Sequence, residues 1–174
     1  MPKALLVIAP KVFRDEEYTE PKHLLEAAGV DVTTASVATG ACTGRFGLEA
    51  IADVALRDVD VAAFDAVAFV GGAGARVYFD DEAAHRIARD AFESGEVVGA
   101  ICIAPSILGR ADLLEGVRVT SFASQEADLI AHGATWTGQP VEVDGRIVTA
   151  NGPESATMFG EELVRMLGEE AAPR

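Results

Sequence analysis

Cys102 is the residue of this sequence best placed to do chemistry. It lies in VVGAICIAPSIL (97–108), where a run typical of a buried strand, Val97–Ile101, meets a helix that Pro105 can begin. A nucleophile on such a strand-to-helix turn is held exposed, and nearby backbone N–H groups are free to bind an oxyanion. The helix N-terminus should lower the pKa of the thiol, although the same local pattern fits an inert buried cysteine equally well.

The elements around Cys102 alternate between short β-branched runs and helical patterns, which predicts a parallel sheet covered by helices. Further strands are predicted at Ala4–Ala9, Val30–Ser36, Ala66–Val70 and Val117–Thr120, and a hairpin at Val141–Ala150 around Asp144-Gly145. Helices are predicted at Glu17–Ala28, from the Asp80 and Asp81 caps to about Ser94, at Ser124–His132, and from Gly152-Pro153 to about Leu167. The polar segment Thr39–Gly47 is predicted to be a loop or a small hairpin.

The 174 residues predict one domain, because no linker, repeat or low-complexity segment interrupts the pattern. We expect residues 1–174 to form this domain, with about 168–174 (GEEAAPR) as a frayed tail. In the first helix, Leu24, Leu25 and Ala28 are predicted to share the buried face.

Composition excludes several classes of function. A net charge of −14 argues against nucleic acid and against anionic membrane surfaces. No apolar run approaches the roughly 20 residues that span a bilayer, and the N-terminal apolar run is too short for the core of a signal peptide. The two cysteines form no disulfide framework, so a reducing cytoplasm is expected.

No cofactor or metal is expected. The three histidines and two distant cysteines show no zinc-ligand spacing. The first strand is followed by PKVFRDEE, not by the Ser/Thr/Gly-rich loop that the phosphate of a flavin would need, which argues against a flavin-binding electron carrier.

Several motifs along the chain together resemble the ThiJ/PfpI superfamily. They are AICIAPSIL around Cys102, AFVGG at the end of a strand, EYTEP from Glu17, TGRFG at Thr43–Gly47 and VDGRIVTANGP at Val143–Pro153, all in family order. The resemblance covers nearly the whole chain. It implies an α/β, flavodoxin-like sandwich with a mostly parallel sheet and helices on both faces, and it implies homodimers.

The resemblance also implies roles for four residues. Cys102 matches the family nucleophile, and Glu17, selected by the following Pro21, matches the acid that hydrogen-bonds the sulfur. Gly72 matches the glycine whose N–H faces the cysteine, and the N–H of Ile103 is the second donor of the oxyanion site. The structural alternative for Glu17 is an ordinary acidic residue in the first turn of a helix. For Gly72 it is a tight turn at the end of a strand.

The sequence departs from the family at two histidine positions. Peptidase-like members carry histidine directly after the cysteine, where this chain has Ile103, and other members carry one on a later loop, where it has Phe122. The available histidines, His23, His85 and His132, lie on predicted helices or helix ends. The sequence therefore offers no evident Cys–His pair.

Three functions remain open. The first is a glyoxalase- or deglycase-like enzyme in which a Cys102 thiolate attacks a small-molecule carbonyl substrate and Glu17 moves the proton. The second is a redox-sensing or chaperone-like stress protein whose Cys102 is oxidised to sulfinic acid. An intracellular cysteine peptidase ranks last.

By family position, Arg45 and Asn151 border the mouth of the pocket that contains Cys102. Arg45 is more readily interpreted as a surface charge, and Cys42 as a position that needs a small residue.

Overall fold

A seven-stranded sheet forms the centre of the protein, in a computed structural model that describes residues 1–171. The strands are β1 (Lys3–Val7), β2 (Lys11–Phe13), β3 (Asp31–Ser36), β4 (Gly40–Gly44), β5 (Glu49–Ala52), β6 (Val54–Ala55), β7 (Ala66–Phe69), β8 (Val97–Ile101), β9 (Arg118–Val119), β10 (Thr135–Trp136), β11 (Val141–Asp144) and β12 (Ile147–Ala150). The α-helices are α1 (Asp15–Ala27), α2 (Glu82–Glu93), α3 (Pro105–Arg110), α4 (Glu126–Ala131) and α5 (Ala156–Ala171).

The central sheet has the order β11-β12-β8-β7-β1-β3-β6. All neighbouring strands in it are parallel except the edge pair β11 and β12, which is the hairpin predicted from Asp144-Gly145. Because β8 is near the middle, its carboxyl end lies between the ends of β7 and β12. This is the edge at which ligand sites of open parallel sheets form.

Helices cover both faces of the sheet, which confirms the predicted α/β, flavodoxin-like class. Helices α1 and α5 pack against each other, and α5 also contacts β8 and β12, while α2 and α3 pack against β8 from the other side. Gly99 in β8 permits the approach of α5, because a β-carbon there would lie 2.9 Å from Cζ of Phe159. Close packing on both faces leaves every residue of β8 buried.

Helix α1 begins two residues earlier than predicted and buries a different face. Its buried residues are Glu17, Tyr18, Pro21 and Leu25, whereas Ala28 is exposed and Leu24 only half-buried. The prediction of a buried Leu24, Leu25 and Ala28 face was therefore wrong for two of the three. Since Glu17, Pro21 and Leu25 follow at intervals of four, they form one stripe, which places a carboxyl group in the core.

Two other segments differ from the sequence prediction or refine it. Thr39–Gly47 contains β4, which pairs with β5 as an antiparallel hairpin and with the unpredicted short strand β2 in a separate three-stranded sheet. The last helix continues to Ala171, beyond the predicted end near Leu167, and residues 172–174 lie outside the described part of the chain. Ion pairs from Arg165 to Glu162 and Glu169 support this final part of the helix.

Candidate active site

Cys102 lies at the joint between β8 and α3 in a strained backbone conformation. Its φ angle is +65°, in the left-handed region that non-glycine residues rarely adopt. The backbone is held on both sides, because the N–H of Cys102 donates to the carbonyl of Ala150 at 3.0 Å and its carbonyl accepts from the N–H of Phe122 at 2.8 Å. This turn aims the side chain away from the sheet while leaving it only 6% exposed.

Two backbone N–H groups point at the sulfur of Cys102. They belong to Gly72, at the end of the segment that follows β7, and to Ile103, the next residue along the chain. They are the two donors that the family resemblance implies. Amide groups in this position stabilise negative charge on sulfur, or on an oxygen bound beside it.

Gly71 and Gly72 allow three parts of the chain to meet at this point. A β-carbon on Gly71 would lie 2.5 Å from Cβ of Cys102 and 2.6 Å from the carbonyl oxygen of Ile101, and it would also overlap Oε1 of Glu17. Gly72 has a φ of +99°, and a β-carbon there would overlap the backbone of Arg14. The Gly-Gly pair is therefore a steric requirement of the site, and the importance of Gly71 was missed in the sequence analysis.

Glu17 is completely buried next to the cysteine. Its side chain is 0% exposed, and it interacts with the thiol of Cys102 and with the backbone N–H of Gly71. Neither carboxyl oxygen makes a hydrogen bond of good geometry within the described chain. A buried carboxyl group with incomplete hydrogen bonding is costly to ionise.

Burial raises the pKa of both members of this pair. The pKa of Glu17 rises to about 7, mainly through loss of solvation, against the smaller lowering effects of the Cys102 thiol and the Arg14 charge. Burial, with the nearby Glu17 charge, raises the pKa of Cys102 to about 12. The predicted lowering of the thiol pKa by the helix N-terminus was therefore wrong, because desolvation outweighs the amides of Gly72 and Ile103.

A cavity of about 180 Å³ opens above Cys102 and Glu17. Three arginines line it, namely Arg14, Arg45 and Arg76, together with Phe122 on the opposite wall. A second cavity of about 470 Å³ adjoins it and shares Arg14, Phe122 and Pro153 in its lining. The volume above the cysteine suits a molecule of a few carbon atoms, well below the size of typical drug-binding pockets.

Comparisons with known proteins identify the family of this chain. The sequence profile of the DJ-1/PfpI family matches residues 2–166. The chain belongs to the DJ-1/PfpI family. Deglycase PfpI of Pyrococcus furiosus is 32% identical over 163 residues, which cover 94% of this chain and 98% of that protein. Protein/nucleic acid deglycase 2 of Escherichia coli is 31% identical over 171 residues, covering 97% and 99%.

A solved DJ-1/PfpI structure confirms the fold. The crystal structure of a ThiJ/PfpI domain protein from Brachyspira murdochii superimposes with a TM-score of 0.94 at 33% identity and covers 96% of each chain. The resemblance drawn from the motifs, and the flavodoxin-like α/β fold that it implied, are therefore both confirmed.

The histidines of this DJ-1/PfpI member lie away from the cysteine. His85 contacts the carbonyl of Phe79 and His132 that of Asp128, each at 2.7 Å, while His23 is exposed on α1. Within residues 1–171, the lining of the Cys102 cavity contains no histidine, and the two family positions hold Ile103 and Phe122 in that lining.

The remaining candidates, Arg45, Asn151 and Cys42, lie in different places. Arg45 lines the cavity above Cys102, whereas Asn151 lines the adjoining one and accepts a hydrogen bond from Ser155 at 2.6 Å. Arg76 was not considered in the sequence analysis, because nothing in its neighbourhood there distinguishes it from a surface arginine. Cys42 is buried in β4, and its thiol faces the carbonyl of Gly40.

Two kinds of feature are absent from residues 1–171. No cluster of three or more His, Cys, Asp or Glu side chains could hold a metal ion. No helix in this part of the chain is both long and apolar enough to cross a membrane.

Proposed function

We propose that this protein is a cysteine-dependent stress-response enzyme that acts on small reactive dicarbonyls, in the manner of a glyoxalase or deglycase. Cys102 is the nucleophile and Glu17 carries the proton. The observation that supports this most directly is the complete burial of Glu17 against the Cys102 thiol, with a pKa raised to about 7. A carboxyl group with this pKa can both accept and donate a proton near neutral pH. Two relatives are named deglycases, which supports the deglycase form of the proposal.

The reaction can proceed without a cofactor. The sulfur of Cys102 adds to the aldehyde carbon of a 2-oxoaldehyde, the carbonyl π bond breaks, and the oxygen takes up a proton to give a thiohemiacetal. Glu17 removes the hydrogen of this carbon and returns a proton to the neighbouring ketone carbon. The first carbon is thereby oxidised and the second reduced, which gives a thioester of a 2-hydroxy acid. Water cleaves the thioester and restores the thiol.

The pair supplies the thiolate as a unit. Two interacting acids lose their protons in steps that belong to the pair and not to either residue. Loss of the first proton near pH 7 gives a single negative charge that lies mainly on Glu17, and we propose that transfer of the thiol proton to Glu17 then gives the reactive form, with the charge on the sulfur. The N–H groups of Gly72 and Ile103 favour that form, and they also stabilise the oxyanion as the sulfur adds.

The alternatives fit the site less well. A sensor that reacts with peroxide needs no substrate cavity, whereas a cavity of about 180 Å³ opens above Cys102. A peptidase of the Cys–His type needs a histidine beside the sulfur, and Ile103 and Phe122 occupy those positions in the cavity lining. An enzyme in which a carboxyl group moves the proton uses this cavity and needs no histidine.

The assembly, location and partner of the protein are proposed on separate observations. We propose a homodimer, since the small β2–β4–β5 sheet and its connection expose Val12, Phe46 and Ile51, at 42%, 64% and 61%. The two free cysteines suit the reducing cytoplasm. A small molecule, and not nucleic acid, is the partner that a net charge of −14 favours. The name of the Escherichia coli relative includes nucleic acid, so this remains a prediction.

The test is the stoichiometry of methylglyoxal consumption. The proposal predicts many moles of lactate per mole of protein, complete dependence on Cys102, and full activity in a Cys42→Ala control. One mole of methylglyoxal trapped per cysteine, with no lactate, would support the sensor instead.

A further inference from the structure

Two arginines at the Cys102 cavity have no acidic partner. Most arginines of the described chain pair with a carboxylate, among them Arg86, Arg110 and Arg165. Within residues 1–171, Arg45 and Arg76 make no such pair within 4 Å, and both line the cavity above the cysteine. In a chain with a net charge of −14, unpaired cations at a cavity call for a specific explanation.

Local contacts position these guanidinium groups without neutralising them. Arg45 lies over the ring of Phe46, 5.5 Å from its centre, and its backbone N–H donates to the carbonyl of Phe13 at 2.9 Å. Arg76 lies over the ring of Phe79 at 5.7 Å. A cation–π contact uses the flat face of the guanidinium, so the N–H groups at its edge stay available to an anion.

The third arginine of the lining differs from these two. Nε of Arg14 pairs with Glu16 at 2.9 Å, so its charge is largely balanced. Glu17 is the acidic residue of the lining, and it lies at the buried end beside Cys102. The cavity therefore has its proton-transfer pair at the bottom and two uncompensated positive charges nearer to solvent. The rest of this acidic protein repels small anions, whereas the positive charge at the cavity mouth attracts them.

We infer that the substrates of this site are 2-oxoaldehydes that carry a carboxylate at the end remote from the aldehyde. This rests on the proposed function. The aldehyde reaches Cys102, while Arg45 and Arg76 bind the carboxylate through charge-assisted hydrogen bonds. For 4,5-dioxopentanoate, addition of water with oxidation of the aldehyde carbon and reduction of the ketone carbon gives 2-hydroxypentanedioate. No external oxidant or reductant is needed.

The kinetic test compares 4,5-dioxopentanoate with its methyl ester, which has the same carbon chain without the negative charge. We expect kcat/KM to be about tenfold or more higher for the acid than for the ester, and Arg45→Gln or Arg76→Gln to reduce that ratio. The control is Arg57→Gln, an exposed arginine outside the cavity lining, which should leave the ratio unchanged. Equal kcat/KM for acid and ester would overturn the inference while leaving the proposed function intact.

A second test needs no turnover. The rate at which iodoacetate alkylates Cys102 is divided by the rate for neutral iodoacetamide, both at low ionic strength, where charge effects are strongest. The inference predicts that this ratio falls in Arg45→Gln and in Arg76→Gln but not in Arg57→Gln. An unchanged ratio in both cavity variants would overturn the inference. A fall in the ratio, in a protein that turns over neither methylglyoxal nor 4,5-dioxopentanoate, would support the anion site and refute the proposed enzyme.

Discussion

The carboxyl group of Glu17 and the sulfur of Cys102 meet inside the protein, although they belong to distant parts of the sequence. Glu17 is in the first turn of α1, and Cys102 ends β8. Gly71 lies between them so closely that a β-carbon would overlap both side chains. Two acidic groups therefore share one buried position.

Cys102 should be the faster-reacting of the two thiols towards small reagents. Both cysteines are buried, but Cys102 lines a cavity of about 180 Å³ and has two backbone N–H donors, whereas Cys42 is only 2% exposed and faces a carbonyl oxygen. Limited alkylation with iodoacetamide at pH 7.5, followed by peptide mass mapping, should label Cys102 first. Preferential labelling of Cys42 would contradict the assignment of Cys102 as the reactive cysteine.

Replacing Gly71 by alanine should disrupt the site. The added methyl group would overlap Glu17 and lie 2.5 Å from Cβ of Cys102, so the pair must separate, and overpacking of this kind costs about 1–3 kcal/mol of stability. We expect methylglyoxal turnover to fall by about 100-fold or more, which corresponds to about 3 kcal/mol.

Gly168→Ala is the matched control for that variant. Gly168 lies in α5 with open space around it, so the same methyl group should leave turnover unchanged and stabilise the protein by about 0.5–1 kcal/mol. Chemical denaturation of both variants measures these effects. Normal turnover in Gly71→Ala would show that the close approach of Glu17 and Cys102 is not needed.

The ionisation of Glu17 should make stability depend on pH. Its pKa is raised in the folded state from 4.5 to about 7, so the folded protein holds this proton more tightly than the unfolded chain. The resulting stabilisation is fully present below pH 4.5 and is lost as the pH rises through 7. At about 1.4 kcal/mol per pH unit, the loss is about 3 kcal/mol.

Urea denaturation between pH 4 and 8 measures this effect as a difference between variants. Relative to the wild type, Glu17→Gln should gain up to about 3 kcal/mol across this range, because the amide does not ionise. Glu20→Gln, an exposed position on the same helix, should follow the wild type. A constant difference between Glu17→Gln and the wild type would mean that the pKa of Glu17 is not raised.

The part of the site that is local in sequence was predictable. The strand Val97–Ile101, the turn at Cys102 and the helix from Pro105 follow from neighbouring residues, and the structure has them at those positions. The hairpin around Asp144-Gly145 is local in the same sense. Patterns of burial and turn chemistry operate over a few residues, which is why they can be read without a structure.

The features that depend on distant contacts were not predictable in the same way. Glu17 is an ordinary helix-start acid until α1 packs on the sheet, and only the family resemblance selected it. The direction of the Cys102 pKa shift was wrong because burial, which the local pattern does not reveal, outweighs the helix N-terminus. Gly71 and Arg76 were missed because each matters through a side chain far away in sequence or through a shared cavity.

The most direct test of the central claim is kcat/KM for methylglyoxal in Glu17→Gln, measured beside Glu20→Gln at pH 7.5. The amide keeps the size of the side chain but cannot carry the proton, so we predict a fall of about 10²–10⁴-fold in Glu17→Gln and none in Glu20→Gln. Alkylation of Cys102 should be faster in Glu17→Gln than in the wild type, because the charge that raises the thiol pKa is gone. A folded Glu17→Gln variant that retains kcat/KM within about threefold of the wild type would contradict the account.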